Sequence, residues 1–156
     1  MSLSNMMTRQ LENYEGKYSE VERYLFSYRD AVRERDAIRT KLEVIEEEMM
    51  PKSPSLSGMP GGGDSGDRMA DYIARVEEYS SKLKLAYDKA YREMMRVDSV
   101  INLVEDPFLR QLMTYRYIKG YKWEVIADSM QYSEQRIFQL RLDALREASK
   151  ILDDCK

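Results

Sequence analysis

Histidine is absent from this 156-residue chain, and cysteine occurs once, at Cys155. Without imidazole there is no histidine acid–base catalysis, no Ser-His-Asp chemistry and no histidine metal ligation. A lone thiol forms no internal disulfide and gives a zinc ion no thiolate partners. Glycine (7) and proline (4) are too scarce for the many turns of a sandwich or barrel. No apolar run reaches the roughly 18 residues of a membrane-crossing helix, and the N-terminus lacks the basic–apolar–small pattern of a secretory signal. The expectation is a cytoplasmic protein that does not contact membrane.

What the chain does have is 43% apolar and 34% charged residues, a mixture suited to long amphipathic helices. Its length fits one ordinary domain or two small ones. From Met7 onward, apolar residues recur at Leu11, Tyr14, Tyr18, Val21, Leu25 and Tyr28. The pattern shifts near Ala31 and Val32, then resumes at Ile38, Leu42, Ile45 and Met49. Steps of four and three describe a heptad seam, with Gly16 its weak point. A second seam runs through Tyr72, Val76, Tyr79, Leu83, Ala86, Ala90, Met94, Val97, Ile101 and Val104.

Between the two seams lies PKSPSLSGMPGGGDSGD, residues 51–67, with almost nothing to bury. It reads as a flexible loop. Its glycines lack the GK[ST] ending and preceding strand of a phosphate cradle. A 17-residue loop between two helices of comparable length predicts an antiparallel hairpin over residues 1–105. Setting Met49 opposite Met69 places Tyr24 against Met94, Tyr28 against Ala90 and Ala31 against Tyr87. The carboxylate run Glu46-Glu47-Glu48 reads as a solvated helix face, and nothing points to an enzyme, a cofactor or a metal site.

Residues 106–156 form a third region. Asp106-Pro107 is a helix start, because Asp accepts from free amides and Pro suits the first helical position. A short helix through FLRQLMTYRYIK stops at Gly120, a second spans about Trp123 to Met130, and a third follows Ser133. In a helix-turn-helix, a small residue lies where the second helix crosses the first, with apolar residues at fixed offsets. Ala127 at the crossing puts Ile126, Met130, Ile137 and Leu140 at those offsets, and all are apolar. The expected fold is all-α: an antiparallel long-helix hairpin followed by a three-helix helix-turn-helix unit.

The segment LMTYRYIKGYKWEVIADSMQYSEQRIFQLRLDAL resembles region four of bacterial sigma factors, which pairs an EIA-type supporting helix with a recognition helix ending in Ala-Leu, here Ala144-Leu145. The whole chain resembles a family of small phage and prophage transcriptional regulators, the ArpU-like late regulators. The resemblance implies double-stranded DNA as partner and a role in activating late genes. It places Glu134, Gln135, Arg136, Phe138 and Gln139 toward DNA, with Arg141 near the phosphates. Lys122 stands where a Ser or Thr usually caps the supporting helix, and Gln131 replaces the usual turn glycine.

Residues 106–156 carry nine Lys/Arg against eight Asp/Glu, a net +1, whereas residues 1–105 carry sixteen against twenty. So little positive charge predicts weak binding by a single unit, since released counterions drive most of such affinity. A homodimer, or a docking surface on host RNA polymerase, is therefore expected to supply the rest, with Met7 and Leu11 available to pair with another subunit or to pack on residues 107–118. The alternative is an interaction module that docks on polymerase or another protein without reading bases.

Overall fold

The computed structural model describes residues 16–49 and 65–155, and every regular element among them is helical. In chain order these are α1 (Ser19–Leu25), α2 (Ser27–Glu48), α3 (Ser65–Asn102), α4 (Pro107–Met113), a π-helical segment (Thr114–Ile118), α5 (Trp123–Met130) and α6 (Glu134–Asp154). Helices α2 and α3 form a long antiparallel hairpin, and the shorter helices follow it. The expected roles of Met7 and Leu11 fall outside the described residues, as does most of the expected loop. Its last three residues, 65–67, already belong to α3.

Among the described residues both seams turn inward where the heptad spacing puts them, except at Met49, which is 38% exposed. On α3, Ala86, Ala90, Val97 and Ile101 are buried, as is Val104 just beyond it, and Tyr72, Val76, Tyr79, Leu83 and Met94 are half-buried. On α2, Ala31, Val32 and Ile45 are buried. The pattern shift after Ala31 leaves Arg35 at the next inward turn, half-buried, with its guanidinium 5.1 Å from the Tyr87 ring centre. Tyr87 is therefore not a seam residue facing Ala31. It is 45% exposed and carries both Arg35 and Arg39 over its ring, while its neighbour Ala86 takes the inward position. The pairs Lys89–Glu34 (2.8 Å) and Arg75–Glu48 (3.5 Å) flank the seam and fix the antiparallel direction.

The chain divides into two compact units, one of residues 31–90 and the other of the described residues up to Asp30 with those from Tyr91 on. The sequence reading divides the chain at 105/106 instead. The reason for the difference is α1, together with the last turns of α3. Tyr18, Leu25, Val97, Val100, Ile101 and Val104 share one core with Leu112, Tyr117, Ile126, Leu140 and Leu145.

Helix α1 ends at Phe26, whose ψ of −6° departs from the helical value although the Phe26 amide still donates to Glu22 at 2.9 Å. A first departure from helical geometry lies at Tyr18 (φ −116°, ψ 11°), close to Gly16 where the sequence expects the helix to fray or bend, and the second lies at Phe26. There the Phe26 ring meets Tyr117 edge-on at 5.0 Å. Arg110 ties down the connection between α3 and α4 by donating to the carbonyls of Val104 (2.6 Å) and Glu105 (2.8 Å).

Candidate nucleic-acid interface

Three local devices set the shorter C-terminal helices. Asp106 starts α4 as expected, its carboxylate accepting from the Phe108 amide at 2.8 Å. The helix then widens, with Lys119 donating to the Thr114 carbonyl (3.0 Å) and Tyr121 to the Tyr115 carbonyl (2.9 Å). Gly120, at φ +76°, ends it. A Cβ there would meet the Arg29 guanidinium at 2.5 Å, and Arg29 itself donates to the Ile118 carbonyl at 3.3 Å.

Helix α5 starts at Lys122 without a side-chain cap, and ends at Gln131, held in the left-handed region at φ 58°, ψ 38°. The Tyr132 amide reaches back to the Ala127 carbonyl at 3.0 Å, as in a Schellman turn. Gln131 thus adopts the backbone conformation that glycine usually supplies. Ser133 caps α6 by accepting from the Arg136 amide at 3.1 Å.

The inward face of the pair is as the spacing requires. Ala127 is 5% exposed at the crossing, beside Ile126 (0%) and against Ile137 (3%) and Leu140 (7%). Ala144 and Leu145 are buried farther along α6. A larger side chain at Ala127 would force the two helices apart.

The six residues expected to face DNA separate into two groups. Gln135, Arg136 and Gln139 are exposed on the first turns of α6, and Arg136 Nη1 donates to Gln139 Oε1 at 3.3 Å. Glu134, Phe138 and Arg141 instead line a cleft of about 170 Å³ with Trp123, Glu124 and Ile137. Glu134 is exposed, whereas Phe138 and Arg141 are half-buried.

Arg141 does not project freely toward solvent. Its Nη2 donates to both carboxylate oxygens of Glu22, at 2.9 and 2.8 Å, and its guanidinium lies 5.1 Å from the Trp123 ring centre. Glu22 also accepts from the Tyr117 hydroxyl at 3.1 Å. Arg116 stacks on Trp123 and Phe26, each at 5.0 Å, and donates to the Tyr121 carbonyl at 2.8 Å. Burial lowers the pKa of Arg116 from its ordinary value and the nearby Arg141 charge adds to this, while Tyr117 and Glu22 oppose it. A guanidinium remains charged throughout. This cluster ties α1 to α6, and no sequence pattern signals it because Glu22 and Arg141 lie 119 positions apart.

Among the described residues no group of His, Cys, Asp and Glu is placed to hold a metal ion, and no helix is long and apolar enough to cross a membrane. Compared with known proteins, the chain matches no family model, no curated protein and no solved structure.

Proposed function

We propose that the chain is a DNA-binding transcriptional regulator that reads promoter DNA with α6, and that it activates late genes of a phage in the cytoplasm of the bacterial host. One observation carries the reading. Helix α6 crosses α5 at a buried alanine, and its capped first turns present Gln135, Arg136 and Gln139 outward. A helix held this way by its apolar face can enter the major groove with its N-terminal turn foremost. There, glutamine can pair with adenine through two hydrogen bonds, and arginine with guanine.

Within this reading the base contacts belong to Gln135, Arg136 and Gln139. Arg141 reaches a phosphate only by leaving Glu22. A homodimer supplies the affinity that a net charge of +1 over residues 106–156 leaves wanting. The test is anisotropy of labelled duplex taken from upstream of the protein's own gene, measured across salt concentration. The reading expects tighter binding than to shuffled duplex, with Gln135→Ala losing about 1–3 kcal/mol of that preference and keeping its helical spectrum. Equal, salt-insensitive binding to both duplexes would refute it.

A second reading is a module that docks on RNA polymerase or another protein without reading bases. The cleft at Trp123 and Phe138 favours it, because its aromatic walls and exposed carboxylates suit a protein better than a phosphate backbone.

A further inference from the structure

Glu134, Phe138 and Arg141 recur on α6 at spacings of four and three, so they share one edge of the helix. That edge faces the start of α5, where Trp123 and Glu124 complete the cleft of about 170 Å³. Ile137, 3% exposed, contributes apolar surface from the core side, and Trp123 and Phe138 are half-buried apolar walls.

The charges around this cleft are unequal. Arg141 is held by Glu22 at 2.8 Å, so its charge is already met within the fold. Glu124 and Glu134 are exposed; Glu124 acts at longer range on the charge of Arg116, which stacks on Trp123, and neither carboxylate forms a close ion pair among the described residues. An apolar cleft with two carboxylates at its rim repels a phosphate. It fits a long aliphatic stem that ends in a cation, because such a side chain buries its methylenes while its head stays at the wet rim.

We infer that this cleft is a binding site for a lysine or arginine side chain presented by a partner protein. The stem lies between Trp123 and Phe138, and the cationic head meets Glu124 and Glu134. The site does not depend on Gln135, Arg136 and Gln139 reading DNA, since none of them lines it.

The chain's single tryptophan is Trp123, so its fluorescence reports on the cleft directly. Intact protein is titrated into the millimolar range with acetyl-Leu-Arg-Leu-amide, with acetyl-Leu-Glu-Leu-amide, and with a short duplex DNA. The expected result is a saturable change with the arginine peptide and none with the glutamate peptide, whether or not duplex DNA also produces one. Glu124→Gln combined with Glu134→Gln should weaken it by about five- to tenfold, the loss of two exposed ion pairs. Phe138→Ala, which keeps both carboxylates, should weaken it by removing a wall. Equal responses to the two peptides would overturn the inference, as would no saturable response or undiminished binding by the double variant. A saturable change with duplex DNA and none with peptide would assign the cleft to nucleic acid and overturn it equally.

Discussion

At the scale of single residues, two positions depart from what their sequence neighbourhood suggests. Gln131 is the only non-glycine residue at positive φ among those described, a conformation that brings a β-carbon close to its own carbonyl. Gln131→Gly should therefore stabilise the protein by about 0.5–1 kcal/mol, the relieved strain exceeding the extra freedom of glycine in the unfolded chain. Urea denaturation measures it, and a lower midpoint would contradict it. Arg141 shows the limit of reading residues along one helix. From sequence it stands as a phosphate contact, but it is locked to Glu22 and Trp123 with its side chain 20% exposed. Arg141→Ala should then cost about 1–3 kcal/mol of folding stability, because it strands a carboxylate that is itself only 12% exposed. If denaturation midpoints for Arg141→Ala and Gln135→Ala are alike, the Glu22 clamp has no energetic weight.

At the scale of elements, periodicity carried most of the information. Helix α5 has the expected bounds, Asp106 and Ser133 cap as their side-chain chemistry requires, and both hairpin seams turn inward. These features are local, so spacing and caps reveal them. The break at Phe26 and the π-helical widening at Thr114–Ile118 are not local. They come from Phe26, Tyr117 and Arg116 meeting across the fold, and no periodicity reports a partner some ninety positions away. Tyr87 is a third such case, drawn to the surface by two arginines on the opposing helix. The inward face of α6 carries its own prediction. Leu140→Ala, at a site 7% exposed, should destabilise the fold by about 2–5 kcal/mol in calorimetry or urea titration. A loss below that of Gln139→Ala would mean that the two faces of α6 are assigned the wrong way round.

At the scale of the whole molecule, the unit that contains the proposed reading helix also recruits α1 and the last turns of α3. Residues 106–155 share their core with Tyr18 and Leu25, far upstream, and with Val97, Val100, Ile101 and Val104, so a fragment starting at 106 should show a lower and broader thermal transition than the full chain. The candidate site was half legible from sequence. The pattern of Ala127, Ile137 and Leu140 exposes which face of α6 is outward, but only the packing of Trp123 against that helix separates Gln135, Arg136 and Gln139 from Glu134, Phe138 and Arg141. The central claim is that the first group reads bases. Selection of binding sites from a random duplex pool, run in parallel with wild type and Gln139→Ala, tests it most directly. The account predicts one enriched motif for the wild type, and the same motif for the variant with preference lost at a single base pair. No enriched motif, or an identical motif from both proteins, would contradict it.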